Sequence, residues 1–275
     1  MLTRVVFNQK GGVGKSSIAV NLAALSAKQG YTTLLIDLDA QANASQYVLG
    51  QDAIATADYC IEPNIQAYFQ SVLNSPTKGL LGHALSGLLK NRSQGLAPYI
   101  HQSKFANLAV VPASPHLGTL SAALEAKHKI YKLRDALAEL NGQYQRIYID
   151  TPPAFNFFSL SALIAADRVL IPFDCDVFSR RALDSLIHNI VETQDDHNPH
   201  LEIEGIVVNQ YQMQAKLPRS VVADLVAEGL PVFENKLPPS VVMKESHQRN
   251  LPLIHFATEH KLTQAYQSLF NEIEQ

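Results

Sequence analysis

Between an apolar run of strand-forming residues and a stretch with helical periodicity, the chain reads Lys10-Gly11-Gly12-Val13-Gly14-Lys15-Ser16-Ser17. The glycines let backbone N–H groups turn inward, and a helix that begins near Lys15 adds the positive end of its dipole, so the stretch favours phosphate. Lys15 would reach the β- and γ-phosphates of a nucleotide, and the Ser16 hydroxyl would bind Mg²⁺. The usual pattern G-x-x-x-x-G-K-[ST] fails only at Gln9, so the pattern that fits is K-G-G-x-G-K-[ST]. The flanking strand and helix disfavour the alternative, a glycine-rich hairpin without function.

A second lysine opens this loop. Lys10 cannot easily reach a phosphate held by its own loop, but it could reach one held by a facing subunit. There it would stabilise charge that develops during phosphoryl transfer. A lysine that is simply exposed to solvent explains the spacing equally well.

Short apolar segments alternate with helical periodicity along most of the chain. The predicted strands are residues 4–8, 32–37, 108–112, 146–150, 168–172 and 205–209, and the predicted helices are 16–29, 117–140, 179–193, 218–228 and 258–273. The strands are apolar throughout, which is typical of a parallel sheet covered on both faces. The sequence therefore predicts an α/β fold: a mostly parallel, twisted sheet with helices on both faces.

The region around residues 50–105 is less regular. It contains few charges, several Gly and Pro residues, and short helical patterns at 65–73 and 79–89. Because no long linker or internal repeat is present, we interpret the chain as one domain, 1–275, with this region as an insertion beside the sheet. Residues 232–237 are expected to form a short strand or a loop.

Composition excludes several classes of protein. Hydrophobic residues make up 47% and charged residues 17%, so a mainly disordered chain is not expected. The formal charge of -3 does not indicate a strongly basic nucleic-acid-binding protein, although it permits a local basic patch. Cys60 and Cys175 lack metal-site spacing and are interpreted as structural thiols in a reducing compartment. The N-terminus resembles no secretory signal, and the longest uncharged stretch, 105–124, is too polar for a membrane span, so we expect a soluble cytoplasmic protein.

Carboxylates follow two of the predicted strands. Asp37 and Asp39 lie two apart at the end of strand 32–37, and Asp150 ends strand 146–150. A carboxylate beyond a strand end can orient a water molecule or hold metal-bound water. A strand-end aspartate can also simply cap a turn.

Three segments together resemble the deviant-Walker ATPases of the ParA/MinD group, and within it the Soj-like ParA partition ATPases. They are residues 8–17, residues 36–44 (Ile-Asp-Leu-Asp-Ala-Gln-Ala-Asn-Ala) and residues 149–153 (Ile-Asp-Thr-Pro-Pro). The second is close to the family pattern D-x-D-P-Q-G-N, with Ala40 and Ala42 in place of the proline and glycine. The three cover the nucleotide face of the predicted sheet.

The resemblance implies a P-loop NTPase with ATP and Mg²⁺ as its nucleotide and metal. It assigns Lys10, Lys15 and Asp39 to catalysis, with Lys10 reaching across a nucleotide-sandwich homodimer and Asp39 positioning water. Ser16 would bind the metal directly, and Asp150 and Asp39 through water, while Asp37 is more readily structural. The nucleotide-binding residues would be Gly11, Gly12, Val13, Gly14, Lys15, Ser16, Ser17 and Asn209, the last through adenine.

The partners implied by the resemblance are DNA, bound without sequence preference, and a ParB-like or cargo adaptor protein that stimulates slow hydrolysis. Such a protein would associate with the nucleoid and not stably with membranes. Candidate DNA contacts on the C-terminal side are Lys216, Arg219, Lys236, Lys244 and Arg249. A second cluster, Lys127, Lys129, Lys132 and Arg134, and the pair Arg180-Arg181 are equally well explained as solvated surface. Lys236-Leu237-Pro238 lies where the family has I-P-R, so the arginine contact is missing.

Two other functions remain open at this point. A MinD-like membrane switch needs a basic amphipathic C-terminal helix, but the apolar face of 260–275 is accompanied by one lysine and two glutamates, so we expect core packing. An ATP-dependent metabolic enzyme with the same loop would need a substrate pocket that the sequence does not reveal.

Overall fold

The computed structural model describes residues 1–50, 60–75, 95–176 and 179–275 of the chain. In these residues one seven-stranded sheet is present. Its strands are β1 (Leu2–Val6), β2 (Thr33–Asp37), β3 (His101–Gln102), β4 (Leu108–Val111), β5 (Arg146–Asp150), β6 (Arg168–Asp174) and β7 (Glu202–Asn209). The order across the sheet is β3-β4-β2-β5-β1-β6-β7, and every pair is parallel except β3 with β4. The predicted α/β class is confirmed.

Helices cover both faces of this sheet. The α-helices in the described residues are α1 (Lys15–Lys28), α2 (Asn43–Leu49), α3 (Ile65–Asn74), α4 (Ser121–Ala126), α5 (Lys132–Ala138), α6 (Phe157–Ala165), α7 (Ser179–Asp196), α8 (Lys216–Ala227), α9 (Val241–Arg249), α10 (Leu253–Phe256) and α11 (Lys261–Ile273). One apolar core joins the sheet to α1, α2, α10 and α11. The other apolar core joins the sheet to the helices from α3 through α8. The continuous burial of strands such as β2 follows from this double cover.

The strand register brings the chemically important ends together. β1 lies between β5 and β6, and β5 lies between β1 and β2. Asp150, the last residue of β5, is paired with Val6 of β1 on one side and Asp37 of β2 on the other. Because parallel strands end at the same edge, the loops after β1, β2 and β5 converge there.

A buried ionic cluster closes the opposite end of the sheet. The Arg4 side chain is only 2% exposed and lies 2.8 Å from Glu204 and 2.6 Å from Glu274. Glu274 also accepts from Arg146 at 2.5 Å. Since Glu274 follows α11 directly, these pairs attach the C-terminal helix to β1 and β5.

The prediction of one helix over 117–140 is wrong. That region forms a 3₁₀ turn, Leu117–Leu120, followed by α4 and α5. Between the two α-helices His128 has φ 51°, and the Lys129 amide donates back to the Leu124 carbonyl at 3.0 Å. A residue in the left-handed region with such a reversed bond ends a helix.

The insertion is described only in part. α3 matches the helical pattern at 65–73, and Asn64 caps it by accepting from the Ala67 amide at 3.1 Å. The helical pattern predicted at 79–89 lies outside the described residues. Residues 232–237 form a loop whose one strand-like bridge joins Val232 to Ile206.

Candidate nucleotide site

The loop between β1 and α1 has the geometry of an anion cradle. Gly12 and Gly14 have φ 79° and 94°, a left-handed conformation that disfavours side chains. A Cβ on Gly14 would also come too close to the Asn209 amide nitrogen, so a side chain here would require the Asn209 side chain to move. None of the side chains that the structure describes caps the N-terminus of α1. The first amides of a helix lack intrahelical partners, and here they remain available to a phosphate.

Lys15 is enclosed at this cradle. It is 6% exposed, and its ammonium donates to the Lys10 carbonyl at 2.9 Å. Burial lowers the pKa of Lys15, while the charges of Asp150 and Asp39 act in the opposite direction. A buried ammonium that is influenced by two carboxylates and lies at the start of α1 is suited to a polyanion that binds together with a metal ion.

Asp150 contributes a fully buried carboxylate to the site. Neither carboxylate oxygen has a hydrogen-bond partner among the described residues. Burial raises its pKa well above the ordinary value, and the neighbouring Asp37 raises it further. The Ser16 hydroxyl and the charge of Lys15 lower the pKa of Asp150. The Ser16 hydroxyl nevertheless makes no hydrogen bond of normal geometry with the Asp150 carboxylate. Buried polar atoms are nearly always paired, so an orphaned carboxylate beside a serine hydroxyl fits Mg²⁺ or its water shell.

The two carboxylates after β2 have different surroundings. Asp37 accepts from the Ser45 amide and hydroxyl at 2.8 and 2.7 Å and from the Asp39 amide at 3.0 Å. These contacts agree with the structural role expected for Asp37. Asp39 lies in the loop and accepts from the Gln41 amide at 3.0 Å. Burial raises the pKa of Asp39, whereas the Gln41 amide and Lys15 lower it.

Ala42, which replaces the glycine of the family pattern, adopts a left-handed conformation in the loop after β2. Ala42 is fully buried with φ 53° and donates its amide to the Asp39 carbonyl at 2.8 Å. An alanine in the left-handed region is costly, so the surrounding packing must enforce this turn.

Lys10 does not extend into solvent. Its ammonium donates to both oxygens of Asp174, at 2.8 and 2.9 Å, and to Asp176. Burial opposes the charge, but the bonds to Asp174 and Asp176 raise the Lys10 pKa overall. The Asn8 side chain adds a second attachment, since it accepts from the Lys10 amide and donates to the Pro172 carbonyl. Lys10 is therefore partly exposed and ion-paired in this protomer, and its contact across a dimer stays a prediction.

A cavity of about 490 Å³ opens over the cradle. It is lined by Gly11, Gly12, Gly14, Lys15, Ser16, Ser17, Asp39, Gln41, Asn43, Gln46, Tyr47, Pro153, His247 and Asn250. Most of the residues predicted to bind nucleotide are thus brought together at one cavity, which is large enough for a small-molecule ligand.

Comparison with known proteins gives the family. A family model described as an AAA domain, AAA_31, matches residues 2–203. A chromosome partitioning protein ParA from Myxococcus xanthus is 32% identical over 270 residues, which cover 98% of this chain and 86% of that protein. The chain belongs to the ParA/MinD family of ATPases.

Solved structures agree with this family membership at the level of the fold. Cobyrinic acid a,c-diamide synthase from Mycobacterium smegmatis, with a bound ATP analogue and magnesium, matches with a TM-score of 0.77 and 24% identity, over 98% of this chain and 93% of that one. The cell division ATPase MinD from Pyrococcus furiosus matches with a TM-score of 0.70 and 20% identity, over 99% of this chain and 98% of that one. These likenesses confirm a P-loop NTPase fold for this ParA/MinD family member.

Asn209 lies against the phosphate loop. Its amide nitrogen donates to the Val13 carbonyl at 2.9 Å, and it is not among the residues that line the cavity. In this structure Asn209 holds the loop in place, and its contact with adenine stays a prediction.

The candidate DNA-binding residues are dispersed over the C-terminal half. Lys216 and Arg219 lie on the first turn of α8, Lys244 and Arg249 lie on α9, and all four are exposed. Lys236 donates to the Glu234 carbonyl at 2.9 Å. The five candidates therefore do not lie together on one helix or loop.

Four of the other basic candidates have local partners. Lys127 donates to the Leu73 carbonyl at 3.1 Å, and Lys132 and Arg134 both lie beside Asp135. On α7, Arg180 pairs with Glu228 and, at 3.2 Å, with Asp184. These contacts favour ordinary surface roles.

The apolar face of the C-terminal helix is used for packing, as expected. The five apolar residues of that face are all buried: Leu262, Tyr266, Leu269, Phe270 and Ile273. They contact the core that includes α1. Within the described ranges, none of the helices has the length and apolar character needed to cross a bilayer.

Sequence reasoning missed one wall of the cavity. Gln46 and Tyr47 come from α2, and His247 and Asn250 from the end of α9. About 200 positions separate the two pairs in the sequence, and no motif marks either helix. The sequence of residues 241–246 followed by 250–253 resembles the family's stretch near the adenine pocket and dimer face, and that resemblance alone pointed to this region.

Proposed function

We propose that this protein is an ATP-dependent molecular switch of the ParA type. ATP and Mg²⁺ would bind at the loop between β1 and α1, and two ATP-bound protomers would form a sandwich dimer. The dimer would bind DNA without sequence preference and so associate with the nucleoid, and a ParB-like or cargo adaptor protein would stimulate hydrolysis and release.

The observation that carries the nucleotide part of this proposal is the unpartnered Asp150 carboxylate. It lies at the same cradle as Lys15 and Ser16, and among the described residues neither of its buried oxygens has a hydrogen-bond partner of normal geometry. Ser16 would ligate Mg²⁺ directly, and Asp150 and Asp39 would hold its water ligands. Bound there, the metal would neutralise charge on the β- and γ-phosphates.

This chain's own groups would then perform distinct tasks. The Lys15 ammonium and the amides of residues 11–16 would bind the phosphates. Asp39, fixed by its bond from the Gln41 amide, would orient the attacking water. Lys10 would leave Asp174 and Asp176 and contact the phosphates bound by the partner subunit, stabilising charge in the transition state.

DNA binding would depend on dimerisation. Residues 206–261 contain six Lys/Arg and five Asp/Glu, so one protomer offers little net positive charge there. A dimer places two copies of Lys216, Arg219, Lys236, Lys244 and Arg249 on one assembly. Affinity built from phosphate contacts falls steeply with salt concentration. The relative named a chromosome partitioning protein supports a DNA locus as the cargo, and a protein assembly is the alternative cargo.

The test is the assembly state in the presence of nucleotide. Wild-type protein, Asp39→Ala and Lys10→Ala would be analysed by light scattering after size-exclusion chromatography with ATP and Mg²⁺, with ADP, or with neither. Asp39→Ala is expected to remain dimeric with ATP, because hydrolysis no longer releases the dimer. Lys10→Ala is expected to bind ATP as a monomer.

Two results would contradict the proposal. One is an Asp39→Ala protein that hydrolyses ATP at the wild-type rate. The other is a dimer that forms equally well without nucleotide. Co-sedimentation of the ATP-bound Asp39→Ala protein with DNA or with anionic vesicles separates a DNA-binding switch from a membrane-binding one.

A further inference from the structure

Three basic residues from distant parts of the chain meet at the end of the sheet away from the nucleotide site. Lys28 is the last residue of α1, Lys104 lies between β3 and β4, and His255 lies on α10. All three are exposed, and together they are called the distal basic patch here. α1 begins at the phosphate cradle and extends for 14 residues, about 20 Å at 1.5 Å per residue, so the patch lies far from the cradle.

Backbone and ring contacts fix the geometry of the distal basic patch. The loop before β4 is attached to the start of β2, because the Asn107 carbonyl accepts from the Thr33 amide at 2.8 Å. Phe105, only 8% exposed, connects two members of the patch. Its ring centroid lies 5.3 Å from the Lys104 Nζ atom, and its ring stacks on that of His255, with centroids 4.5 Å apart and planes at 19°. The patch is therefore built on a buried aromatic ring and a sheet edge.

The positive charge of the distal basic patch is not neutralised locally. Within the described residues, neither Lys28 nor Lys104 forms an ion pair with a carboxylate. Lys28 is not needed to cap the end of α1 either, because the Ala27 carbonyl already accepts from the Gly30 amide at 3.0 Å. Burial, and then the charges of the two lysines, lower the pKa of His255. The charges that act on this histidine are thus positive, and they remain available to an anion from outside.

We propose that the distal basic patch binds the phosphodiester backbone of nucleic acid, independently of ATP. Lysine supplies a compact charge on a flexible stem, which suits a phosphate chain that is bound without sequence preference. The patch contains no arginine, whose planar fork would match a carboxylate of an acidic protein. Contacts between lysines and phosphates supply most of the affinity in non-specific DNA binding.

This inference goes beyond the proposed function, in which C-terminal residues bind DNA after dimerisation. In a dimer joined at the nucleotide sites, the two distal basic patches would face outward, at opposite ends of the assembly. One dimer would then hold two separate duplexes, and each contact would raise the effective concentration of the others. The patch itself needs neither nucleotide nor a second protomer.

The experiment measures DNA binding in the absence of nucleotide. A short fluorescent DNA duplex would be titrated with the protein by fluorescence anisotropy, between about 50 and about 200 mM NaCl. The wild-type protein is expected to bind weakly and with a strong dependence on salt. Lys28→Ala combined with Lys104→Ala should lower the slope of log K against log salt concentration by about two, because two phosphate contacts are lost, and weaken binding at low salt about tenfold.

The matched control is Lys127→Ala combined with Lys132→Ala, which removes the same charge from lysines that have local partners. This control should keep the wild-type slope, and thermal unfolding should show that both double variants are folded. A wild-type slope in the patch variant, or no binding by the nucleotide-free wild-type protein at the lowest salt concentration, would overturn the inference.

Two further measurements separate this inference from its alternatives. Equal binding to anionic phospholipid vesicles or to poly-glutamate, lost in the same patch variant, would identify a different polyanion and overturn the assignment to nucleic acid. A protein that binds DNA through the patch but never changes its assembly state with ATP would contradict the proposed switch and leave this inference standing.

Discussion

Replacing Asp150 by asparagine should stabilise the nucleotide-free protein and at the same time remove its response to magnesium. Asp150 is fully buried, and its two oxygens have no hydrogen-bond partner in the described structure. Burial first, and then the charge of Asp37, raise its pKa well above 3.8. A group whose pKa is raised by folding makes the folded state take up a proton, and this lowers stability at neutral pH.

The size of the gain can be bounded from this argument. One unit of pKa corresponds to about 1.4 kcal/mol, so a carboxyl that must be protonated at pH 7 costs at most about 4 kcal/mol relative to its ordinary value. The asparagine amide has the same shape and needs no proton. We therefore expect Asp150→Asn to raise the free energy of unfolding by about 1 to 4 kcal/mol, or about 2 to 4 °C in Tm per kcal/mol.

The assay is urea and thermal unfolding at pH 7 and at about pH 4, with and without ATP and Mg²⁺. The stability gained by Asp150→Asn should disappear near pH 4, because at that pH protonation of the wild-type Asp150 carboxyl costs almost no free energy. The wild-type protein should be further stabilised by ATP with Mg²⁺, since a ligand that binds only the folded state adds stability. Asp150→Asn should lose the magnesium-dependent part of that stabilisation.

Asp37→Asn is the matched control. Asp37 is equally buried and is paired with Asp150 in the sheet register, but it accepts from Ser45 and from the Asp39 amide. An amide cannot accept at both oxygen positions, so this variant should be destabilised. If Asp150→Asn is also destabilised at pH 7, or keeps its magnesium response, the orphaned carboxylate is not the metal-binding feature.

Three further predictions follow from the same structure. Lys15→Ala should lose nucleotide-induced stabilisation in thermal unfolding, because it removes the buried cation of the cradle; retained stabilisation would contradict this role. The free energy of unfolding of the nucleotide-free protein should rise as the pH falls from about 7 to about 5, because burial raises the pKa of Asp37 to about 6 and that of Asp150 further. At more acidic pH the free energy of unfolding, measured by urea titration, should fall again because Glu274 becomes protonated. Burial alone would raise the pKa of Glu274, but Arg146 and Arg4 lower it overall. A free energy of unfolding that changes in only one direction with pH would refute this interpretation. Lys216→Glu combined with Arg219→Glu should weaken DNA binding by the ATP-bound dimer and reduce its salt slope by about two, whereas Lys132→Glu, in the locally paired cluster, should not.

The fold was largely predictable because its signals are local. The strand at 146–150 was predicted with its observed bounds, since three strand-forming residues, Ile147, Tyr148 and Ile149, lead directly to an aspartate. The phosphate loop was predictable for the same reason, because the glycine spacing, the strand before it and the helix after it lie within 28 residues. The failure at 117–140 is also local: one residue, His128, adopts the left-handed conformation, and nothing in the apolar periodicity signals it.

The environment of the site residues could not be predicted, because it depends on contacts between distant segments. The partners of Lys10 are 164 and 166 positions away: Asp174 is the last residue of β6, and Asp176 lies on the loop after it. His247 meets Ser17 across 230 positions. Whether Asp150 would be paired or orphaned depended on which side chains of neighbouring strands face it, and strand patterns carry no information about that.

Mixing two inactive variants tests most directly whether Lys10 acts on the phosphates of the partner subunit. Lys10→Ala lacks the lysine that its partner needs, and Asp39→Ala lacks the residue that its own site needs. In a mixed dimer, the site on the Lys10→Ala subunit would have its own Asp39 and the partner's intact lysine. Because Lys10→Ala is expected to be monomeric by itself, random pairing is not assumed, and the mixture should recover ATPase activity in proportion to the mixed dimers present, with one working site in each. Lys15→Ala mixed with Asp39→Ala, two defects within the same site, should recover none. If the first mixture is as inactive as each variant alone, while mixed dimers are present, Lys10 does not reach across the dimer.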